Sequence, residues 1–388
     1  MPRSYQSFCL GNLLQSMAHR WLLMDPKPAL SETQAIEKLC TFFREKPLVV
    51  FGSGMSCALD TQFGMAALRD ALVADVPLCI TDAEEEHEWG LVQQALQNGE
   101  DLETAMDAVT HKQLLVKITE ASGRFVGSVD RHYAHLVANG DCTWPALPLF
   151  QKLVDSLPSA DRALHVLTPN YDLLLEHSCD FSGIPHINGF TGGVIRRLDW
   201  RSAAYSLLIP VKTALGRTLK ITYKYRRHIR LYKVHGSLNF FFHRDEVIEN
   251  NSWMWDPPGY VQRVLITPGL SKYQALQRFR QELLRAADDA IEKSSHFLFL
   301  GYGFNDKHLE EYIGRKLTAQ SCHGLIITRS SNPRIEALVE KSANLWLVCK
   351  ADDDSDSRVA NSQYANDVVI VGKSLWNVAE FTKELLGG

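Results

Sequence analysis

Short apolar runs closed by turn residues recur along this chain. They are 48–51 before Gly52, 163–167 before Thr168-Pro169, 231–234 before His235, 264–266, 296–300 before Gly301, 325–327 and 345–348. Continuous apolar runs of this length are the pattern of strands covered on both faces, as in a parallel sheet. Helical periodicity fills the gaps. Ser31, with Gln34 three residues on, reads as the N-cap of a helix that runs to about Glu45 and stops before Pro47. Further helices are predicted near 64–72, 147–157, from about 173, over 274–293, over 308–317 and over 375–386, and a last strand near 368–371. The alternation predicts an α/β fold built on a Rossmann-type parallel sheet.

Two stretches break the alternation. Residues 82–140 open on the acidic run from Asp82 to Glu88 and continue with apolar positions at Leu91, Ala95, Leu102, Met106, Val109, Leu114, Leu115 and Ile118. That is amphipathic helix spacing without a strand, so the segment is expected to be a helical insertion. Residues 187–230 lose regular patterning and read as loop plus β-hairpin, with Gly189, Gly192, Gly193 and Gly216 as turn signals. The expected organisation is an arm or helix over 1–30, one α/β domain over 31–81 and 141–388, and the insertion at 82–140. Residues 352–356 read as an acidic loop.

Composition narrows the class. Of 388 residues, 45% are apolar and 22% charged, enough to bury a sizeable core, and a net charge of −4 gives no overall attraction to nucleic acid or anionic lipid. Positive charge is local: Lys212, Arg217, Lys220, Lys224, Arg226, Arg227, Arg230 and Lys233 occur with no acid between them, interleaved with Tyr223, Tyr225 and Tyr232. A solvated hairpin and a phosphate- or DNA-facing surface both fit that run. The eight cysteines are scattered with no C-x-x-C pair, which reads as free thiols in a reducing compartment and disfavours a cysteine-ligated zinc site. No signal pattern opens the chain and no apolar run reaches membrane-spanning length, so a cytoplasmic protein without a membrane partner is expected.

Four strand ends carry residues suited to chemistry. Gly52-Ser53-Gly54-Met55-Ser56 is a glycine turn opening a helix, where backbone N–H groups suit a pyrophosphate. It lacks the third glycine of the usual dinucleotide fingerprint, which disfavours an ordinary dehydrogenase. Thr168-Pro169-Asn170-Tyr171-Asp172, His235-Gly236-Ser237 and Gly301-Tyr302-Gly303-Phe304-Asn305-Asp306 close the other three strands. Read singly, Asn170 is a helix cap, Asp172 a helix-start charge, His235 a sheet-end hydrogen-bonding residue, and Asn305 with Asp306 a cap for the helix that follows. Asn332 reads as a cap.

Together and in this order, these motifs resemble the sirtuin family, over roughly residues 33–80 and 160–375. The resemblance implies NAD as substrate. Gly52, Ser53, Gly54 and Ser56 would hold the pyrophosphate, and Thr168 and Asn170 would lie beside the nicotinamide ribose. His235, in the family's H-G-S motif with Gly236 and Ser237, would be catalytic. Gly301 and Gly303, with Asn305 and Asp306, would lie at the adenosine ribose. The chain departs from sirtuin deacylases in three ways. No four-cysteine zinc module follows His235, Arg69 is a poor stand-in for the family's G-x-P-D-F-R arginine, and the gap from Asp172 to His235 is longer.

These departures resemble the bacterial sirtuin-like branch that hydrolyses NAD in anti-phage defence, most of all the stand-alone subunit that assembles with a HerA-type ATPase. The resemblance therefore implies an NAD+ hydrolase without zinc, a homo-oligomer and an ATPase partner. Asn170 would position water and ribose, Asp172 would hold the nicotinamide amide or stabilise the ribosyl cation, and His235 would be the general base. Two alternatives stay open: an NAD-dependent protein deacylase or ADP-ribosyltransferase, and a DNA-acting subunit using the basic hairpin from Lys212 to Lys233.

Overall fold

The computed structural model describes residues 26–215, 218–265, 274–305, 307–319 and 321–387. Most of the segment read as an N-terminal arm, together with Gly216, Arg217, Ile266 and Asp306, lies outside the described residues. The strands are β1 (Leu48–Phe51), β2 (Ala163–Thr168), β3 (His186–Ile187), β4 (Phe190–Gly192), β5 (Arg196–Leu198), β6 (Leu208–Leu215), β7 (Thr218–Tyr225), β8 (His228–Lys233), β9 (Gly236–His243), β10 (Glu246–Glu249), β11 (Gln262–Leu265), β12 (His296–Leu300), β13 (His323–Ile327), β14 (Leu345–Lys350), β15 (Ser357–Ala360) and β16 (Val368–Ile370).

Nine of them form one sheet in the order β16-β15-β14-β13-β12-β1-β2-β8-β3. From β14 to β3 every pairing is parallel, and β15 and β16 close one edge antiparallel. The parallel α/β sheet expected from the apolar runs is therefore the fold. The chain leaves β1 toward β2 on one side and comes back through β12 on the other. The carboxyl ends of β1 and β12 are thus a topological switch point, where open α/β sheets bind ligands.

Both faces of the sheet are covered. Val49, Leu164, Val166, Leu298 and Leu300 pack under the helices Glu32–Phe42, Leu147–Asp155 and Val378–Leu386. Val50, Phe297, Phe299 and Ile326 pack under Gln274–Lys293, Lys307–Thr318 and Pro333–Lys341. The first of these helices starts on a capping box: Ser31 Oγ accepts from the Gln34 amide at 3.3 Å while the Ser31 amide donates to Gln34 Oε1 at 3.1 Å. The C-terminal helix begins at Val378 rather than 375, because Asn377 caps it by accepting from the Ala379 amide.

The helices Ala83–Gln97, Leu102–Met106 and Lys112–Asn139 share an apolar cluster with Met65–Asp75, built on Leu72, Trp89, Val92, Leu115 and Ile118. A second, antiparallel sheet, β11-β9-β10-β5-β4, begins where β8 ends, and β6 and β7 form a separate hairpin. No helix of the described residues is long and apolar enough to cross a membrane.

Candidate active site

The site is built from strand ends. At the end of β1 the chain turns at Gly52 into the short helix Ser53–Cys57. The Gly52 amide donates to the Leu300 carbonyl and the Gly54 amide to the Gly301 carbonyl, each at 3.1 Å. A Cβ on Gly54 would lie 2.7 Å from that Gly301 oxygen, and a Cβ on Gly301 2.8 Å from Gly54 Cα. Gly301 itself has φ +51. The turns after β1 and β12 therefore touch backbone to backbone at the switch point, and glycine is required on both sides of the contact.

From that turn Ser56 reaches the end of β2. Its side chain is fully buried; Oγ donates to Asp172 Oδ2 at 2.8 Å and accepts from Asn170 Nδ2 at 3.0 Å. Thr168 Oγ1 ties β2 back to β1 by donating to the Phe51 carbonyl at 2.9 Å, and accepts from the Asn170 amide at 3.1 Å. Asp172 Oδ1 accepts from the Leu174 amide at 3.2 Å, at the start of the helix Leu174–Ser182. Three residues read separately from two motifs thus form one hydrogen-bonded chain, Asn170–Ser56–Asp172.

Burial pushes the Asp172 carboxyl up to about 6, the nearby Asp130 adding to the rise while Lys233 and the two hydrogen bonds oppose it. A buried carboxylate held at high pKa by desolvation and specific charge partners is a candidate for a functional site. The folded-state value lies above the ordinary 3.8. This group's contribution to stability is therefore complete below about pH 4 and is lost as pH rises through about 6. Asp172→Asn removes that loss. Between about pH 4.5 and about pH 8, the stability difference between variant and wild type should move in the variant's favour by on the order of 2 to 3 kcal/mol, read from urea unfolding at both pH values.

Lys233, together with Asp130 and His177, which no motif marks, holds this chain in place. Lys233 is 2% exposed, and its Nζ donates to the Asp172 carbonyl and to Glu176 Oε1, the latter at 3.1 Å. Lys233 is therefore not part of a basic surface, which corrects its place in the run from Lys212. Asp130, fully buried on the helix Lys112–Asn139, accepts from the Leu173 amide at 2.7 Å, from Trp255 Nε1 at 3.1 Å and pairs with His177 Nε2 at 3.2 Å. Burial alone would lower the His177 pKa, but its hydrogen bond and charge interaction with Asp130, helped by Glu176, raise it above its ordinary value. The all-helical segment is thus wired directly to the end of β2.

His235 sits between the two sheets, half-buried, at the turn from β8 into β9. The Val234 amide donates to the Thr168 carbonyl at 3.2 Å, and the Leu238 amide to the Tyr171 carbonyl at 3.1 Å. Ser237 Oγ contacts the same Tyr171 oxygen at 3.5 Å. These bonds bracket His235 beside the Asn170–Asp172 turn. Gly236 has φ +87, and a Cβ there would fall 2.0 Å from the Val264 carbonyl oxygen. Gly236→Ala should therefore destabilise the protein by about 2 kcal/mol or more through backbone strain and displacement of β11, measured by thermal unfolding.

Beyond Gly301 the turn after β12 bonds to the helix Pro333–Lys341 instead. Gly303 offers its carbonyl to Asn332 Nδ2 at 2.9 Å, and Asn332 also caps the helix Pro333–Lys341, as expected of it. Asn305 is exposed and its Oδ1 accepts from Arg334 at 3.1 Å; Asp306 lies outside the described residues. Arg69 is on the surface, ion-paired with its neighbour Asp70 at 2.8 Å. Among the described residues no group of three or more His, Cys, Asp or Glu is arranged to hold a metal ion.

Residues 164–347 match the family described as SIR2-like domain. The match runs from β2 to β14 and contains Asn170, Asp172, His235 and Gly301, while the turn from Gly52 to Ser56 lies before it. A solved structure reported as "Structural Basis for the Mechanism and Regulation of Sir2 Enzymes" is similar with a TM-score of 0.41 and 13% identity, over 91% of this chain and 99% of that one. None of the curated proteins compared matches this chain.

Proposed function

We propose that this chain is an NAD-using enzyme that cleaves the nicotinamide–ribose bond of NAD+ with water, releasing nicotinamide and ADP-ribose. The observation that carries the reading is the buried Asn170–Ser56–Asp172 chain at the ends of β1 and β2, with His235 at the end of the next strand. The SIR2-like match over 164–347 supports NAD use in general.

In this reading the scissile C–N bond breaks as positive charge develops on the ribosyl C1′, and the nicotinamide leaves as a neutral ring. Asp172, a desolvated carboxylate, is stabilising beside that developing cation or holds the nicotinamide amide, because charge placed before the reaction costs no reorganisation during it. Asn170, its amide NH2 fixed on Ser56, positions water and ribose. His235 takes the proton as water or a ribose hydroxyl reacts. The backbone contact of Gly52 and Gly54 with Gly301 fixes the start of the helix Ser53–Cys57 at the switch point, where the turn from Gly52 to Ser56 would take the pyrophosphate in this reading. The wider setting belongs to the same proposal: a cytoplasmic homo-oligomer paired with a HerA-type ATPase, depleting NAD+ in anti-phage defence.

The test is NAD+ consumption by the purified full chain, alone and with a co-expressed ATPase, with products separated by chromatography. Nicotinamide and ADP-ribose appearing in equal amounts without added peptide is the expected result. Nicotinamide released only when an acyl-lysine peptide is present would mean a deacylase instead. Salt-sensitive DNA binding with no NAD+ turnover under either condition would refute the enzymatic reading.

A further inference from the structure

A cleft lies at the other end of the same strands. It is lined by Asp161, Arg162 and His165 near the start of β2, His228 and Arg230 on β8, and Trp200, Arg201 and Tyr205 of the helix Trp200–Tyr205, with Tyr225 at its rim; its volume is about 420 Å³. The three residue steps along β2 from His165 to Thr168 separate it from the start of the Asn170 turn by roughly 10 Å. None of the residues assigned to NAD+ cleavage lines it.

Its chemistry is specific. His165 and Arg230 are register partners on adjacent strands and interrupt otherwise apolar runs. His165 stacks on Tyr232 at 5.9 Å and shares a 2.8 Å hydrogen bond with its hydroxyl. The Arg230 guanidinium lies 5.3 Å from the Trp200 ring centre, and its Nε is buried with no hydrogen-bond partner among the described residues, as is Trp200 Nε1. Arg201 uses Nε on the Tyr205 hydroxyl, and Arg162 uses Nε and Nη1 on the Ser159 and Tyr225 carbonyls, so each guanidinium is oriented by the protein. The lining has one carboxylate, Asp161, and Lys46 already pairs with it. Burial first, then Lys46 and Arg230, push the His165 imidazole down to about 4, and burial also lowers His228. The cleft is thus a cationic pocket with aromatic walls, open to solvent at Arg201, Tyr205 and Tyr225, and holds two buried donors with no hydrogen-bond partner among the described residues.

We propose that this cleft binds a mononucleotide, its phosphate held by Arg230 with Arg201 and Arg162, and its base against the aromatic wall of Trp200, Tyr205 and Tyr225. Planar guanidinium forks suit phosphate oxygens, and an arginine-backed aromatic wall suits a base. The volume matches one nucleotide rather than a strand. The site is independent of NAD+ cleavage and would serve as a sensing position on the same sheet.

Isothermal titration of the full chain with AMP tests this, with adenosine, inorganic phosphate and a single-stranded oligonucleotide as comparison probes. AMP should bind saturably. Arg230→Met and Arg201→Ala should each weaken it by about tenfold or more, the loss expected of a charge-assisted hydrogen bond, while Lys383→Ala, on the exposed side of the helix Val378–Leu386, leaves it unchanged. Arg201 sits on a surface helix, so its variant keeps the test open if Arg230→Met unfolds. Adenosine and phosphate alone should each bind more weakly than AMP. The proposal fails if AMP does not bind, if both arginine variants bind as wild type does, if phosphate binds as tightly as AMP, or if Arg230-dependent binding is seen only with the oligonucleotide.

Discussion

His235→Ala should lower the rate of NAD+ cleavage by about 10² to 10⁴-fold, the range expected when a general base is lost. The histidine is half-buried and sits on a turn whose backbone bonds are made by its neighbours: the Val234 amide to Thr168 and the Leu238 amide to Tyr171. Removing the imidazole leaves those bonds in place. Asn170→Ala should act at least as strongly on rate, because it deletes the group proposed to place the water and also releases Ser56 from one of its two partners. The two variants differ in what else they do. In Asn170→Ala, Ser56 keeps its bond to Asp172 and the buried amide is gone, so stability should fall by only about 1 kcal/mol. Single-turnover rates and urea unfolding of both variants check the pair. Wild-type rates in either variant, with the fold intact, would remove that residue from the mechanism.

Much of this arrangement was legible in the sequence because buried parallel strands announce themselves. Runs such as Leu48-Val49-Val50-Phe51 and Phe297-Leu298-Phe299-Leu300 have no polar positions, and the residue that stops each run marks the sheet's end. The short strands of the second sheet were not legible. β4, β5 and β10 have three or four residues each, too few for an alternating pattern to emerge. Gly52, Gly54 and Gly301 were recognisable as turn residues, but not that the reason for glycine is the contact of one turn with the other. Contacts between distant segments leave no local trace. Asp130 looks like any polar residue of a long amphipathic helix, yet it fixes the Leu173 amide. Lys233 closes a basic run, yet the parallel pairing of β8 with β2 turns it inward. A signal was available there: a lysine flanked by Leu231, Tyr232 and Val234 in a strand buried on both faces must be buried too, and a buried lysine requires a carboxylate.

That requirement sets the second large effect. Lys233→Met should destabilise the protein by about 3 to 5 kcal/mol, the usual result of stripping one partner from a buried ion pair. Three buried carboxylates, Asp130, Asp172 and Glu176, lie in this region. The basic groups facing them are Lys233, on Glu176 and the Asp172 carbonyl, and His177, on Asp130. Without Lys233, the buried Glu176 carboxyl loses its ion-pair partner, and Asp172 loses the group that most opposes its upward shift. Two results should accompany the fall in stability. First, Glu176→Gln in the Lys233→Met background should restore much of the loss, since the stranded charge rather than the missing contact carries the cost. Second, the Asp172 carboxyl should move further above about 6, so that more of it is protonated at neutral pH and any activity that needs its carboxylate shifts to higher pH. Urea unfolding of the single and double variants checks the first, and a pH–rate profile checks the second. If Lys233→Met unfolds at the same urea concentration as wild type, the lysine is not holding this cluster, and the electrostatic account of the β2 and β8 ends is wrong.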